Sequence, residues 1–334
     1  MNIFILNATI NGKLLAEILC RESSVKGMIT LNENGYRSTP EYYDYTDFCR
    51  KRDIECIHVN SYSLTSDEDK DKLLKLDIDL LIVASWQRLI PPWLIRKCGI
   101  GVIGAHGSHE GITRGRGRSP QNWALLMGKE DFSLSIFWIE EEADNGAVID
   151  TREFKYLPTD NIMVSYIKVN FYKADMILKN IENGRIARKD GKKQSKEGLY
   201  LPQRKREDGM IDWNRDAVDI NNMVRALTKP YPGAFTRYGE TEFIIWSSHP
   251  VVIEASYLYE SVRNGTIVSI LSGSALVKCA TNFLLVDSCT NYTEMYEGMV
   301  FESGDFKMQM QKIIDRHNEK YGTPLSRLVL DEVD

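Results

Sequence analysis

The chain has 334 residues, 43% of them apolar and 27% charged, with 42 Lys and Arg against 47 Asp and Glu. That mixture is globular rather than disordered, and no run approaches the ~20 apolar residues of a bilayer span. A net charge of −5 argues against a general nucleic-acid binder, and the length exceeds the ~250–300 residues beyond which one core divides, so two domains are expected.

The amino terminus, MNIFILNATI, has no basic region and no cleavage site. It reads as a first strand, and a cytoplasmic protein is expected. Cys20, Cys49, Cys56, Cys98, Cys279 and Cys289 form no C-x-x-C pair and stand mostly in apolar segments, which fits reduced core thiols. The five histidines show no H-x-x-x-H spacing. His106, His109 and Glu110 would make an irregular ligand set, so no metal is expected.

Residues 2–8 read as a buried strand, followed by a helix from Gly12 to Cys20, a strand at Val25–Leu31, a helical segment at Tyr43–Lys51 and a strand at Ile54–Asn60. Ser66 before Asp67, Glu68 and Asp69 marks a helix start, with acids at the positive end of its dipole. Asp79–Ser85 (DLLIVAS) is an uninterrupted apolar strand of the kind buried on both faces of a parallel sheet, and Gly101–His106 is the next. Strand and helix alternate through this half, so the expected fold class is α/β with a doubly wound, mostly parallel sheet. Ligands then belong at the carboxyl ends of the strands, where Ser85, Trp86, Gln87 and His106 fall. Asn7-Ala8-Thr9-Ile10-Asn11-Gly12 stands where a G-x-G-x-x-G would, so no dinucleotide is expected.

A loop with Gly111, Gly115 and Gly117 alternates with Arg114, Arg116 and Arg118. It reads either as a solvated loop or as one that grips phosphate, because guanidinium groups match phosphate oxygens bidentately. Pro120 opens an apolar-periodic helix, and the strand-like run Phe132–Ile139 leads into Asp144-Asn145-Gly146. A histidine at one strand end and an aspartate at another can converge on one pocket. His titrates near neutrality, and a carboxylate can fix its tautomer or take a proton.

Asn161–Ile181 is a long amphipathic helix with Ile162, Tyr166, Val169, Met176 and Ile177 on its apolar face. Gly184–Arg206 carries nine Lys or Arg and reads as a solvated linker. The expected organisation is therefore a domain over 1–183, a basic linker over 184–206 and a smaller β-rich domain over 207–334. In that last part a helix at Val218–Leu227 and a turn at Pro230–Gly233 precede short strands at Thr236–Tyr238, Glu242–Trp246, Val252–Leu258, Gly265–Leu271, Ala275–Cys279 and Phe283–Val286. Their spacing suggests a small antiparallel barrel, or part of one. Phe306–Tyr321 closes the chain as a helix.

The string G-V-I-x-x-H-x-S at 101–108, the RG-containing loop, P-x-x-W-A-x-x-x-G from Pro120 and E-x-x-A-D-x-G from Glu140 resemble the catalytic domain of formyl-tetrahydrofolate-dependent formyltransferases. Relatives of that kind include methionyl-tRNA formyltransferases and sugar N-formyltransferases. Arg206-Glu207-Asp208-Gly209, Ile211-Asp212-Trp213, Arg225-Ala226-Leu227 and Pro230 to Phe235 resemble the junction to their carboxy-terminal domain. The resemblance covers most of residues 1–240 and implies a Rossmann-like catalytic domain followed by an OB-like one.

It also implies roles. His106 and Asp144 would be catalytic, His106 stabilising a developing oxyanion and Asp144 holding His106 or taking the amine proton. Formyl-tetrahydrofolate would be the co-substrate, bound by Ser85, Trp86, Gln87 and Leu89 on one side and Glu140, Glu141, Ala143 and Asp144 on the other. A buried core aromatic is the ordinary reading of Trp86 beside that one. Ser108, Arg114, Arg116 and Arg118 would bind the acceptor. The implied acceptor is a nucleotide-linked amino sugar, favoured by the acidic balance and the RGR loop, with methionyl-tRNA as the alternative. The oligomeric state is left open, a homodimer among the options.

The chain departs from the family at Gly104, where members usually carry an asparagine that donates to the formyl oxygen. Losing such a donor costs about 2.7–4 kcal/mol of transition-state stabilisation, so another group must substitute. Candidates are Asn122, Ser108, His109 or an ordered water admitted by the glycine, and Asn122, an amide, has the right chemistry for a catalytic donor. If nothing substitutes, the chain reads as a folate or nucleotide binder, or as a hydrolase releasing formate. The loop departs too: Ser108-His109-Glu110-Gly111 stands where the family has S-L-L-P, with about two extra residues before Pro120.

Overall fold

The computed structural model describes residues 1–33, 39, 41–141, 146–194 and 200–322. Along the chain the strands and helices are β1 (Ile3–Asn7), α1 (Lys13–Glu22), β2 (Val25–Leu31), α2 (Thr46–Arg50), β3 (Glu55–Val59), α3 (Asp67–Leu74), β4 (Leu80–Ser85), α4 (Pro92–Lys97) and β5 (Gly101–Ser108). Next come α5 (Gly111–Arg114), β6 (Arg116–Gly117), α6 (Pro120–Leu126), β7 (Asp131–Trp138), β8 (Val148–Lys155), α7 (Ile162–Glu182) and β9 (Tyr200–Leu201). The rest are α8 (Ala217–Leu227), β10 (Ala234–Tyr238), β11 (Thr241–Val251), β12 (Ile267–Leu271), β13 (Ser274–Lys278), β14 (Phe283–Cys289) and α9 (Phe306–Tyr321).

Contacts divide the chain into two compact units that are not contiguous in sequence. One comprises Met1–Arg116, Ser133–Phe154 and Tyr166–Gly198; the other comprises Gly117–Phe132, Lys155–Ser165 and the described part of Leu199–Asp334.

The first unit is built on a seven-stranded sheet in the order β3-β2-β1-β4-β5-β7-β8. The ladders from β3 through β5 are parallel, and β7 runs antiparallel to β5. This is the mixed α/β, mostly parallel sheet that the alternating pattern requires. Chain order reverses between β1 and β4, the switch point at which open α/β sheets bind ligands. All five residues of β1 are buried, as an apolar run without alternation demands of a strand covered on both faces. Phe4, Leu6, Ile29, Leu31, Ile57 and Val59 join Leu81 and Val102 in one core cluster. Ser66 accepts from the Asp69 N–H and starts α3 as its sequence signalled. The Tyr43–Lys51 segment is helical only over α2, because Asp44 accepts from both the Thr46 N–H and its hydroxyl and fixes the entry there.

Residues 184–194 pack on the first unit rather than forming a solvated run. Ile186 is fully buried, the Trp138 indole donates to Asp190 O, and Val148 and Lys192 exchange backbone hydrogen bonds. Arg188, Lys189, Lys192 and Lys193 face solvent there, while Ile186 turns in.

The second unit contains a five-stranded antiparallel sheet, β10-β11-β14-β13-β12. Residues 300–302 bridge Arg237 at one edge and Thr266 beside the other, so the two edges share one cover. Val252–Leu258 is not the separate strand that its apolar composition predicts. β11 runs on through Val251, and Glu254–Tyr259 coils into 3-10 turns with Val252, Tyr257 and Leu258 exposed. Helix α8 starts at Asp216, whose carboxylate accepts from Val218 N.

The Arg-Glu-Asp-Gly motif is held together by Asp208, which is 3% exposed. Its carboxylate accepts from Lys205 N at 2.7 Å and from Arg316 Nη2 of α9 at 2.5 Å. Asp208→Asn should lower the unfolding free energy by about 1.5–3 kcal/mol, the range for hydrogen bonds to charged groups. Urea denaturation measures this, and a change below about 0.5 kcal/mol would deny the motif its tethering role.

Candidate functional site

In the first unit β4 and β5 are hydrogen-bonded from Leu80↔Gly101 to Ile82↔Ile103. Beyond that point each keeps a different neighbour. β4 continues on β1 to the pair Asn7↔Ser85, while β5 continues on β7 through His106↔Ser135 to Ser108↔Ser133. The two strands therefore part at their carboxyl ends, with Ser85 and Trp86 on one lip and His106 on the other.

His106 is half-buried, and its Nε2 lies 2.6 Å from Gly115 O. A carbonyl oxygen only accepts, so Nε2 carries the proton and the neutral ring keeps its lone pair on Nδ1. Gly115 is required for this approach: a Cβ there would fall 1.9 Å from Ser108 Oγ. Ser108 is fully buried and tightens the same loop, donating to Gly111 O at 2.7 Å and accepting from Glu110 N at 3.1 Å. It is a loop brace; both hydroxyl contacts are made within the protein.

The three arginines of the loop differ in kind. Arg116 is 3% exposed and donates to Gln194 Oε1 at 3.3 Å; Gln194 in turn donates to Gly146 O at 2.7 Å. That chain reaches the residue following Asn145. Arg114 is exposed and pairs with Glu110 at 3.1 Å, a surface contact worth little. Arg118 is exposed as well, and within the second unit its N–H donates to Leu201 O.

On the β4 lip the Trp86 indole N–H donates to Tyr62 O at 3.1 Å, and the two rings meet edge to face at 4.6 Å. The ring packs against the apolar core, as an ordinary core aromatic does. Gln87 is exposed, and Leu89 is 69% exposed, an apolar side chain open to solvent at a strand-end loop. Glu140 and Glu141 are exposed, and Glu141 pairs with Arg96 at 2.5 Å. Ala143 and Asp144 lie outside the described residues.

The end of β1 is pinned by Tyr45, whose hydroxyl accepts from Asn7 Nδ2 at 2.6 Å and donates to Thr9 O at 2.7 Å. Burial pushes the Tyr45 phenol well above its ordinary value, so it stays a hydrogen-bond pin. Thr9 and Ser85 hydroxyls meet at 2.7 Å across the switch point.

Asn122 sits in α6 of the second unit, 1% exposed, and its Nδ2 donates to Ala226 O at 2.6 Å. One amide hydrogen is thus committed to docking α6 on α8. At Gly104 a Cβ would come 2.9 Å from Ile139 Cδ1, so a larger residue there must displace that methyl. Sequence reasoning also passed over Gly115, Gln194 and Tyr45; only the G-x-G spacing hinted at the first. In the second unit a cavity of about 370 Å³ is lined by Tyr156, Asn161, Asn222, Arg225, Trp246 and His249 among others, and by none of the sequence-predicted site residues.

Residues 32–180 match the family model described as Formyl transferase, and residues 204–293 match Formyl transferase, C-terminal domain. The methionyl-tRNA formyltransferase of Bacillus subtilis (strain 168) is 27% identical over 215 residues, 63% of this chain and 67% of that protein. The bifunctional polymyxin resistance protein ArnA of Wigglesworthia glossinidia brevipalpis is 28% identical over 232 residues, 67% of this chain but 33% of the relative. Among solved structures, HypX from Aquifex aeolicus in complex with tetrahydrofolic acid aligns with a TM-score of 0.60 at 18% identity, covering 86% of this chain and 44% of that one. The N-formyltransferase from Helicobacter canadensis with folinic acid and dTDP-3-aminofucose aligns with a TM-score of 0.59 at 13% identity, covering 86% and 99%. The structural likenesses show the fold, and the chain spans less than half of HypX and a third of ArnA.

Gly115→Ala should break the His106 contact, since its methyl cannot share space with Ser108 Oγ. The imidazole nitrogen resonances of His106 should move, and unchanged resonances would mean that the loop does not hold the ring.

Proposed function

The chain belongs to the formyl transferase family, enzymes that transfer formyl groups, and we propose that it moves a formyl group from formyl-tetrahydrofolate to the primary amine of a nucleotide-linked amino sugar. The observation that carries this reading is the parting of β4 and β5, which sets a histidine with a fixed tautomer opposite an open strand-end loop.

The residues present suit the donor. Leu89 supplies exposed apolar surface, and the backbone of 86–89, beyond the end of β4, supplies hydrogen-bonding groups for a flat heterocycle. His106 faces the reacting carbon. Its Nε2–H, held on Gly115 O, leaves Nδ1 to take the proton of the attacking amine or, once protonated, to stabilise the developing oxyanion. Asp144 orients His106 or accepts the amine proton. Ser108 acts from behind by holding the loop, and Glu140 and Glu141 border the donor side.

For the acceptor, Arg114 of the first unit is a loop cation open to solvent, and it would grip the diphosphate of a nucleotide sugar; Arg118 is a second candidate cation. Arg116 is buried and supports the turn through Gln194. The net charge of −5 opposes tRNA, and a solved relative of like fold carries folinic acid and a dTDP-linked amino sugar. Methionyl-tRNA is the second reading, favoured by the curated relative of that name. We place the protein in the cytoplasm, where both acceptors occur, and keep the catalytic part at 1–183 and the β-rich part from 207.

Incubation of the purified protein with formyl-tetrahydrofolate and a panel of amines tests the proposal. A formamide on a nucleotide-linked amino sugar is expected. A formamide on methionyl-tRNA alone would replace the acceptor, and free formate without transfer would replace the reaction.

His106→Ala and Asp144→Ala should each reduce turnover below about a tenth of wild type, a threshold of ~1.4 kcal/mol. The double variant should be scarcely slower than either single one, since the pair acts as a unit. A single variant above that threshold removes its residue from the chemistry. Changing Arg114 and Arg118 together to Gln should raise the acceptor KM about tenfold and leave the donor KM alone. An unmoved acceptor KM would make the loop a solvated surface.

A further inference from the structure

Lys173 of α7 is 6% exposed, and lysine is almost never so enclosed without a partner. Its Nζ donates to Val83 O at 2.6 Å and to Ala84 O at 3.3 Å. Burial brings its ammonium down from the lysine range to about 7. Desolvation opposes the charge, and the two carbonyls accept from an amine as they do from an ammonium.

The unmet needs of those two carbonyls explain the lysine. The β4–β5 ladder stops at Ile82↔Ile103, so the next residues of β4 have no strand neighbour on that side among the described residues. On the other side the register slips, Leu6 pairing with Val83 and Asn7 with Ser85. Ala84 is the extra residue of a bulge, a device that bends a strand and re-aims the residues after it. Ser85 O returns to order by accepting from Ala8 N at 3.1 Å. Three residues before Lys173 on the same helix, Asn170 Nδ2 donates to Asn11 O at 3.0 Å, just beyond the end of β1.

We infer that Lys173 is a positioning residue, replacing the absent β5 partner at Val83 and Ala84 and fixing the bulge that sends residues 85–89 toward the formyl donor. This rests on the reading of 85–89 as the donor-binding loop. Lys173 touches the donor only through that backbone.

The test uses the full chain and begins with calorimetric titration of folinic acid. Lys173→Met keeps length and packing but removes both donors. It should weaken folinic acid binding and raise the KM for formyl-tetrahydrofolate about tenfold or more. The acceptor KM should be unchanged and kcat within about threefold. A general loss of structure would instead damage both substrates' kinetics in parallel, and that result overturns the inference. So does a Met variant that binds folinic acid like wild type. If wild-type protein binds no folinic acid, the functional reading falls and takes this inference with it. Should Lys173→Met not fold, the wild type decides the matter: the Lys173 Nζ resonance must shift when folinic acid saturates the protein, and a fixed resonance contradicts the proposal.

Discussion

The first unit depends on where one ladder stops. β4 and β5 are joined over three residue pairs and then diverge, each held by a different neighbour. A parallel sheet that simply continued would bury these strand ends in mutual hydrogen bonds and leave no room for a ligand. Because it does not, backbone groups are released at the end of β4, and each buried one must find a partner or be kept for a ligand. Lys173 takes two on β4, Tyr45 takes Thr9 O at the end of β1, and Thr9 and Ser85 close across the gap. The two β4 carbonyls that Lys173 takes are the consequence of that divergence, while the Tyr45 and Thr9–Ser85 contacts belong to the β1–β4 switch point.

The loop after β5 solves a second problem, holding an imidazole in one tautomer without a carboxylate among the described partners. It does so with the Gly115 carbonyl, brought in because glycine can lie against Ser108 where no Cβ fits. The same loop sends Arg116 inward to Gln194 and so to Gly146, the residue that follows Asn145 in sequence. The inward arginine is a brace, and a guanidinium so engaged loses little further entropy when substrate arrives. Catalytic precision of this kind comes from supporting contacts more than from the reacting groups themselves.

Much of the fold is legible in the sequence because its signals are local. An apolar run such as DLLIVAS can only be a doubly covered strand, Ser66 before three acids can only start a helix, and His106 stands at the end of a buried run. The family motifs add Asp144 and the 85–89 loop. The features that stay hidden depend on tertiary approach. Lys173 stands in an amphipathic helix where a lysine ordinarily faces water, and nothing nearby in sequence says that a bulge on β4 awaits it. Asn122 reads as a reacting group because of its amide; the structure commits one of that amide's hydrogens to Ala226 O. Val252–Leu258 has strand composition, yet β11 already runs on through Val251 beside β14, and the remaining apolar residues coil in the open. The basic run after α7 conceals Ile186, a single buried residue that anchors a segment whose composition says linker.

A crystal structure of the protein with folinic acid bound tests the central claim most directly. The account predicts the pterin ring against the backbone of residues 85–89, between the diverging ends of β4 and β5, with the formyl group next to the His106 imidazole. A folate seated elsewhere, for instance in the cavity beside Trp246 and Arg225, would contradict it.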